Sequence, residues 1–289
     1  MPQVKTGVTQ ANGINFHFLE MGVGPLVVCV HGFPDNAYTY RYLLPELAEA
    51  GFRAVAPYTR GYAPTEAPKD ARYQTALVGQ DGLGLIEALG ASQAALVGHD
   101  WGGFAVYSAT ALEPKRVSKL VTIATAPQMT GDRTNLRFLK GIWHGFYFLT
   151  ADAERTLANN DFAFLEDFWR DLSPGWDIPP AILEGVKRTF RQPGVSEAAL
   201  GYYRQNFNSD SQDPSLREVQ DLVNTGPISV PTLALHGTRD RAGALEVFQE
   251  MDHFFTGPLE KVVIPNTGHF MHLEKPDEVN QIIVKFLRG

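Results

Sequence analysis

Asp100 stands in the run Gly98-His99-Asp100-Trp101-Gly102-Gly103, with glycines two residues to either side. The apolar run Ala94–Val97 precedes it, and a helical pattern follows at once. Such a residue tops a sharp strand-to-helix turn, and its neighbours must be small so that the backbones can approach. Serine at this position serves acyl transfer, whereas a carboxylate attacks saturated carbon and forms an alkyl ester. The plain alternative is an aspartate that only caps the helix. Asp240 closes the segment His236-Gly237-Thr238-Arg239-Asp240, just past the apolar run Thr232–Leu235. A carboxylate at the C-terminal end of a parallel strand lies where sheets of this kind hold their ligands; here the alternative is a turn aspartate. His269, in Asn266-Thr267-Gly268-His269-Phe270, follows the next apolar run and is the candidate base for activating water.

A further loop, His31-Gly32-Phe33-Pro34-Asp35, directly follows the apolar run Leu26–Val30. There the backbone N–H of Phe33, paired with that of Trp101, can receive a developing oxyanion. His31 reads as a prop that holds this loop by hydrogen bonding. Eight histidines invite a metal, but no HExxH or clustered ligand spacing occurs. His269 and His272 read instead as a base with a solvent-facing neighbour. Neither a metal nor a cofactor is expected.

These residues need a frame that presents them together. Ile14–Glu20, Leu26–Val30, Arg53–Ala56, Ala94–Val97 and Leu120–Ala124 are short strand-like runs, mostly bounded by Gly, Pro or Asp. Helical patterns at Tyr42–Ala50, Leu77–Leu89 and Gly103–Leu112 lie between them. The alternation predicts an α/β protein with an open, mostly parallel sheet. From Gln128 to Thr225 no buried strand is legible, and three of the four tryptophans fall there. This stretch reads as a helical insertion, so the core divides into 1–127 and 226–289 with 128–225 between. Strands return at Thr232–Leu235 and Val262–Ile264. A final helix follows Pro276, with apolar residues at Val279, Ile282, Ile283, Phe286 and Leu287.

Composition bounds the partners. The net charge of −7 and the lack of any Lys/Arg run argue against nucleic acid, whose phosphates need a basic patch. The lone Cys29 cannot form an internal disulfide and suits a reducing compartment. The start Met-Pro-Gln-Val-Lys is not followed by an apolar signal core, and no apolar run nears the ~20 residues of a membrane span. A cytoplasmic monomer or homodimer with no membrane contact is expected.

The motifs HGFPD, Arg60-Gly61-Tyr62, GHDWGG, HGTRD and TGHF, with Tyr202-Tyr203-Arg204, span nearly the whole chain. In these the sequence resembles the epoxide hydrolase branch of the α/β-hydrolase superfamily, whose triad follows the same chain order. The resemblance implies an α/β-hydrolase fold with a helical cap inserted after strand 6. It makes Asp100 the nucleophile, Asp240 the charge-relay acid and His269 the base, with Phe33 and Trp101 as the oxyanion hole. Tyr203 would donate a hydrogen bond to the epoxide oxygen, and the Phe33–Pro34 bond would be cis. The partners implied are a small-molecule epoxide and water, and the product is a vicinal diol.

Two departures stand out. Family members usually carry a second lid tyrosine, where this sequence has His144, as in the Cif-like subset; Tyr147 is the alternative alignment. Tyr58-Thr59 replaces an aspartate-containing run before Arg60, which bears on loop packing. Haloalkane and haloacid dehalogenases use the same aspartate chemistry. The haloalkane enzymes often carry Asn in place of Phe33, however, and the fluoroacetate enzymes carry Trp in place of Gly145 and arginines near the nucleophile. The run Asp100–Phe104 has no arginine. A ligand-binding receptor on the same fold is a third reading, against which the intact Asp100, Asp240 and His269 argue.

Overall fold

A computed structural model describes residues 3–127 and 136–289. Its centre is an eight-stranded sheet in the order β1-β2-β4-β3-β5-β6-β7-β8. The strands are β1 (Lys5–Ala11), β2 (Ile14–Met21), β3 (Leu26–Val30), β4 (Arg53–Pro57), β5 (Ala94–His99), β6 (Val117–Ile123), β7 (Thr232–Gly237) and β8 (Leu259–Ile264). From β4 to β8 every pairing is parallel, while β1–β2 and β2–β4 are antiparallel. The expected mostly parallel sheet is therefore present. β1 was not expected. Its sequence Lys-Thr-Gly-Val-Thr-Gln-Ala leaves most side chains in solvent at the sheet edge, so it carries little hydrophobic signal. It is held by a tight hairpin at Asn12-Gly13, both left-handed with φ of 48° and 75°, the conformation that two-residue hairpin turns favour.

The inner strands are buried on both faces, which is why β3 and β5 read as unbroken apolar runs. Neighbouring residues serve opposite cores. Val28 and Leu96 pack with Ile86, Val106 and Leu120 on one face; Val27, Cys29 and Val97 pack with Leu44, Val279 and Ile283 on the other. Each fully buried aliphatic side chain contributes roughly 1.5–3 kcal/mol relative to exposure. The first face is covered by α2 (Thr75–Ala88) and α3 (Trp101–Leu112), the second by α1 (Leu43–Glu49) and the C-terminal α12 (Pro276–Arg288). Pro276 sits in the first turn of α12, as its fixed φ allows.

Among the described residues, the chain between β6 and β7 is helical. It comprises α4 (Leu136–Gly141), α5 (Trp143–Tyr147), α6 (Ala153–Leu172), α7 (Pro180–Phe190), α8 (Val195–Phe207) and α9 (Arg217–Thr225). The expected start of the insertion at Gln128 lies outside the described residues. Helix α6 is broken at Asn159–Phe162, where three successive residues are left-handed. Two short helices, α10 (Leu245–Gln249) and α11 (Met271–Glu274), complete the core. The inserted helices dock through aromatic rings. Phe148, Phe168, Phe190 and Tyr203 all meet the ring of Phe33 edge-on, with centroids 5.3–5.8 Å away. Among the described residues, no helix is long and apolar enough to cross a membrane.

Candidate active site

Asp100 occupies the turn between β5 and α3 with φ 53° and ψ −121°. An aspartate held at positive φ costs of order 1–3 kcal/mol, and such strain persists only where the surroundings enforce it. Here they do. Gly102 lies so close to the β3 end that a Cβ on it would collide with the Val30 carbonyl. The first turn of α3 starts from Asp100 itself, whose carbonyl accepts from Gly103 N–H at 2.8 Å and Phe104 N–H at 3.2 Å. The carboxylate is thereby pushed out of the helix and into a cavity.

The loop after β3 closes on one carboxylate oxygen. Phe33 N–H donates to Asp100 Oδ1 at 2.7 Å. The other expected donor, Trp101 N–H, belongs to the first residue of α3, where helix geometry leaves backbone donors without partners. The Phe33–Pro34 bond is cis, as the resemblance implied. His31 holds this loop and does not face the cavity: its Nδ1 meets Gly32 O at 3.0 Å, and its Nε2 accepts from Thr59 N–H at 3.0 Å. The unusual Thr59 thus serves loop packing. Below it, Arg60 forms a buried ion pair with Asp81, Nη2 to Oδ1 at 2.6 Å.

Asp240 and His269 reach the same place from the ends of β7 and β8. His269 Nδ1 lies 3.1 Å from Asp240 Oδ2, and its Nε2 lies 3.6 Å from Asp100 Oδ2. The Asp240 side chain is fully buried, and its Oδ1 also accepts from Ala242 N–H at 2.8 Å. Burial would favour the neutral acid, but the charge and hydrogen bond of His269 outweigh it, and Asp240 is held below the ordinary carboxylate range. For His269, burial disfavours the cation, yet the attraction of Asp240 and the proximity of Asp100 prevail and raise its pKa to about 10.

His144 and Tyr203 line the same cavity, of about 110 Å³, as Asp100 and His269. Their rings meet edge-on at 5.6 Å. Burial lowers the pKa of His144 to about 4, so its imidazole is neutral, and its Nδ1 has no protein partner. Burial, with Asp100 nearby, raises Tyr203 well above its ordinary value, so the phenol keeps its proton. Both are neutral donors. The adjacent Tyr202 is engaged elsewhere, donating to Arg60 O at 3.0 Å. Tyr147, the alternative to His144, shares a hydrogen bond with Thr156 Oγ1 at 2.6 Å and is not a cavity residue.

One expectation is corrected. His272 is not solvent-facing: it is buried, its Nε2 lies 2.7 Å from Thr39 Oγ1, and burial depresses its pKa well below the ordinary value. The short helix α11 turns it inward beneath the sheet end, against His99.

Residues 25–276 match the family described as alpha/beta hydrolase fold. The chain belongs to the α/β-hydrolase fold family. Among its relatives, Epoxide hydrolase 3 of Mus musculus is 29% identical over 297 residues, covering 99% of this chain and 77% of that one. Epoxide hydrolase A of Mycobacterium tuberculosis is 27% identical over 317 residues, covering 98% and 97%. The crystal structure of Epoxide Hydrolase A from Mycobacterium thermoresistibile superposes with a TM-score of 0.82 at 26% identity, covering 100% and 99%.

Within this α/β-hydrolase, sequence reasoning missed several cavity residues. His236 lines the cavity with its Nε2 3.8 Å from Asp240 Oδ2. Phe104, Phe207, Val247 and Phe248 supply apolar walls. Their spacing does not mark them as lining, since they are brought together by the packing of β7, α3, α8 and α10.

Proposed function

We propose that this protein is an epoxide hydrolase working through an ester on Asp100, with residues 128–225 acting as its cap. The observation that carries this reading is the shared cavity of Asp100 with two neutral proton donors, His144 and Tyr203. Opening an epoxide requires a proton for its oxygen. A halide leaving group requires none. No Lys or Arg lines this cavity among the described residues, and the charge of His269 is already flanked by Asp100 and Asp240, so a substrate carboxylate would find little free counter-charge.

The geometry supports one assignment of the oxygens. Oδ1 is engaged by Phe33 N–H, which leaves Oδ2 to attack the epoxide carbon. The carbon–oxygen bond of the ring breaks, and its oxygen takes a proton from Tyr203 or His144. In the ester that forms, Oδ1 is the carbonyl oxygen and already lies in the oxyanion site. Water then attacks Cγ and gives its proton to His269 Nε2, whose charge Asp240 offsets. The Cγ–Oδ2 bond breaks and the diol leaves with Oδ2 and the proton that His269 took from water; the proton left on the new Asp100 carboxyl returns to His269, whose resting proton had gone to restore the donor of the first step.

The test is a single turnover of styrene oxide in water enriched with heavy oxygen. The label is expected in Asp100 and not in the diol. Label appearing directly in the diol would mean water attacks the epoxide itself, and the reading would fall. A 1-haloalkane run in parallel is expected to release no comparable halide.

A further inference from the structure

Three consecutive backbone N–H groups surround the base, and each has an acceptor. Gly268 N–H donates to Glu274 Oε1 at 2.9 Å and Oε2 at 3.1 Å. His269 N–H donates to Leu172 O at 3.1 Å, and Phe270 N–H to Ser173 Oγ at 3.1 Å. The Ser173 hydroxyl in turn donates to Glu274 Oε1 at 2.7 Å. Two of the three acceptors therefore belong to the end of α6, in the insertion, and only Glu274 belongs to the core.

The same turn reaches the oxyanion loop. Trp169 stacks flat on Phe270, with centroids 3.6 Å apart and planes 6° from parallel. Its Nε1–H donates to Pro34 O at 2.9 Å. The contact has no slack, because a Cβ on Gly268 would fall 2.6 Å from Ser173 Oγ. Ser173, Leu172 and Trp169 are all buried. One helical turn is thus bonded both to the loop that carries His269 and to the loop that carries Phe33.

We infer that Ser173 and Glu274 are positioning residues for ester hydrolysis: they seat His269 only while the last turn of α6 is docked. This rests on the ester mechanism proposed above. Ester formation draws on Asp100, Tyr203 and His144. Ester hydrolysis draws on His269 and the Phe33 N–H, the two groups whose loops this turn holds. Docking of the inserted helices would thereby be coupled to the second chemical step as well as to enclosure of the substrate.

The experiment is rapid-quench mass spectrometry of the Asp100 ester with styrene oxide in wild type, Ser173→Ala, Glu274→Gln and the double variant. Ser173→Ala removes two hydrogen bonds and is expected to slow ester hydrolysis about tenfold while leaving ester formation within about twofold. The double variant is expected to match the worse single variant, because the two residues act as one unit. Equal slowing of both steps, no slowing, or additive effects would each overturn the inference. Trp169→Phe keeps an aromatic ring for stacking but loses the Pro34 bond together with the second ring of the indole. It repeats the test should Ser173→Ala not fold, with the same outcomes supporting or overturning. A wild type that forms no ester at all would refute the proposed mechanism, a result distinct from any change in the ratio of the two steps.

Discussion

His269 Nε2 stands 3.6 Å from Asp100 Oδ2, too long for a hydrogen bond and short enough for strong attraction between charges. The imidazole is thus flanked by two carboxylates, and in the resting protein it holds a proton up to a pH of about 10. A protonated imidazole cannot accept a proton from water. In the proposed mechanism esterification resolves this, because it would replace the Asp100 carboxylate by a neutral group and withdraw part of the charge that raised the histidine.

The first prediction follows from that pair. By NMR, His269 is expected to remain protonated at pH 8 in the free wild-type protein, and Asp100→Asn is expected to move its titration downward. Single-turnover ester hydrolysis should rise with pH along a midpoint below about 10, since Asp100 is then uncharged. An unchanged midpoint in Asp100→Asn would show that Asp240 alone sets the histidine.

Stability should follow the same proton. The folded-state pKa of His269, about 10, exceeds its ordinary 6.5, so the folded protein binds an extra proton between those values. This contribution is fully present below about 6.5 and is lost as pH rises through about 10. Thermal melting from pH 6 to 10 is expected to show a fall in Tm for wild type and a shallower one for His269→Gln.

Removing the base should trap the intermediate. His269→Gln is expected to be alkylated by styrene oxide and to stop there, giving a stable mass increase on Asp100. Asp240→Asn should slow ester hydrolysis about 10²- to 10⁴-fold and ester formation far less, because the acid orients the imidazole and offsets its charge. Normal turnover in Asp240→Ala would move the relay role to another residue.

The proposed donors would act on the other step. Tyr203→Phe and His144→Phe are each expected to slow ester formation on the order of 10²-fold, the usual scale of general-acid catalysis. His144→Tyr should keep substantial activity, since a phenol can replace the imidazole N–H. Tyr202→Phe is expected to cost only about 1 kcal/mol of stability, through its lost bond to the Arg60 carbonyl. A wild-type rate in Tyr203→Phe would show that its hydroxyl does not reach the substrate.

What the sequence disclosed was local. Asp100 and His269 are announced by the glycines and apolar runs beside them, since a sharp turn after a buried strand leaves few choices of neighbour. Edge strand β1 was silent because it buries too little to need an apolar pattern. His272 was misjudged because its inward direction is set by the short helix α11 and by packing against His99, neither of which spacing reveals. Ser173 and Glu274 lie 101 positions apart and have no motif in common. Only folding brings them together.

The sheet has one property that bears on how such proteins diversify. Strands β6 and β7 pair directly, Leu120 against Thr232 and Ile123 against Leu235, although all of α4 to α9 lies between them in the chain. The helices leave and re-enter through neighbouring strands, so their length and sequence place no demand on the register of the sheet. A segment attached in this way is open to exchange: a cap from another member of the fold could be spliced in without redrawing the core. The exchange would still not be free. An incoming segment that lacked the turn ending in Ser173 would keep the sheet intact yet release the histidine loop, giving a well-folded hybrid that stalls with its substrate attached.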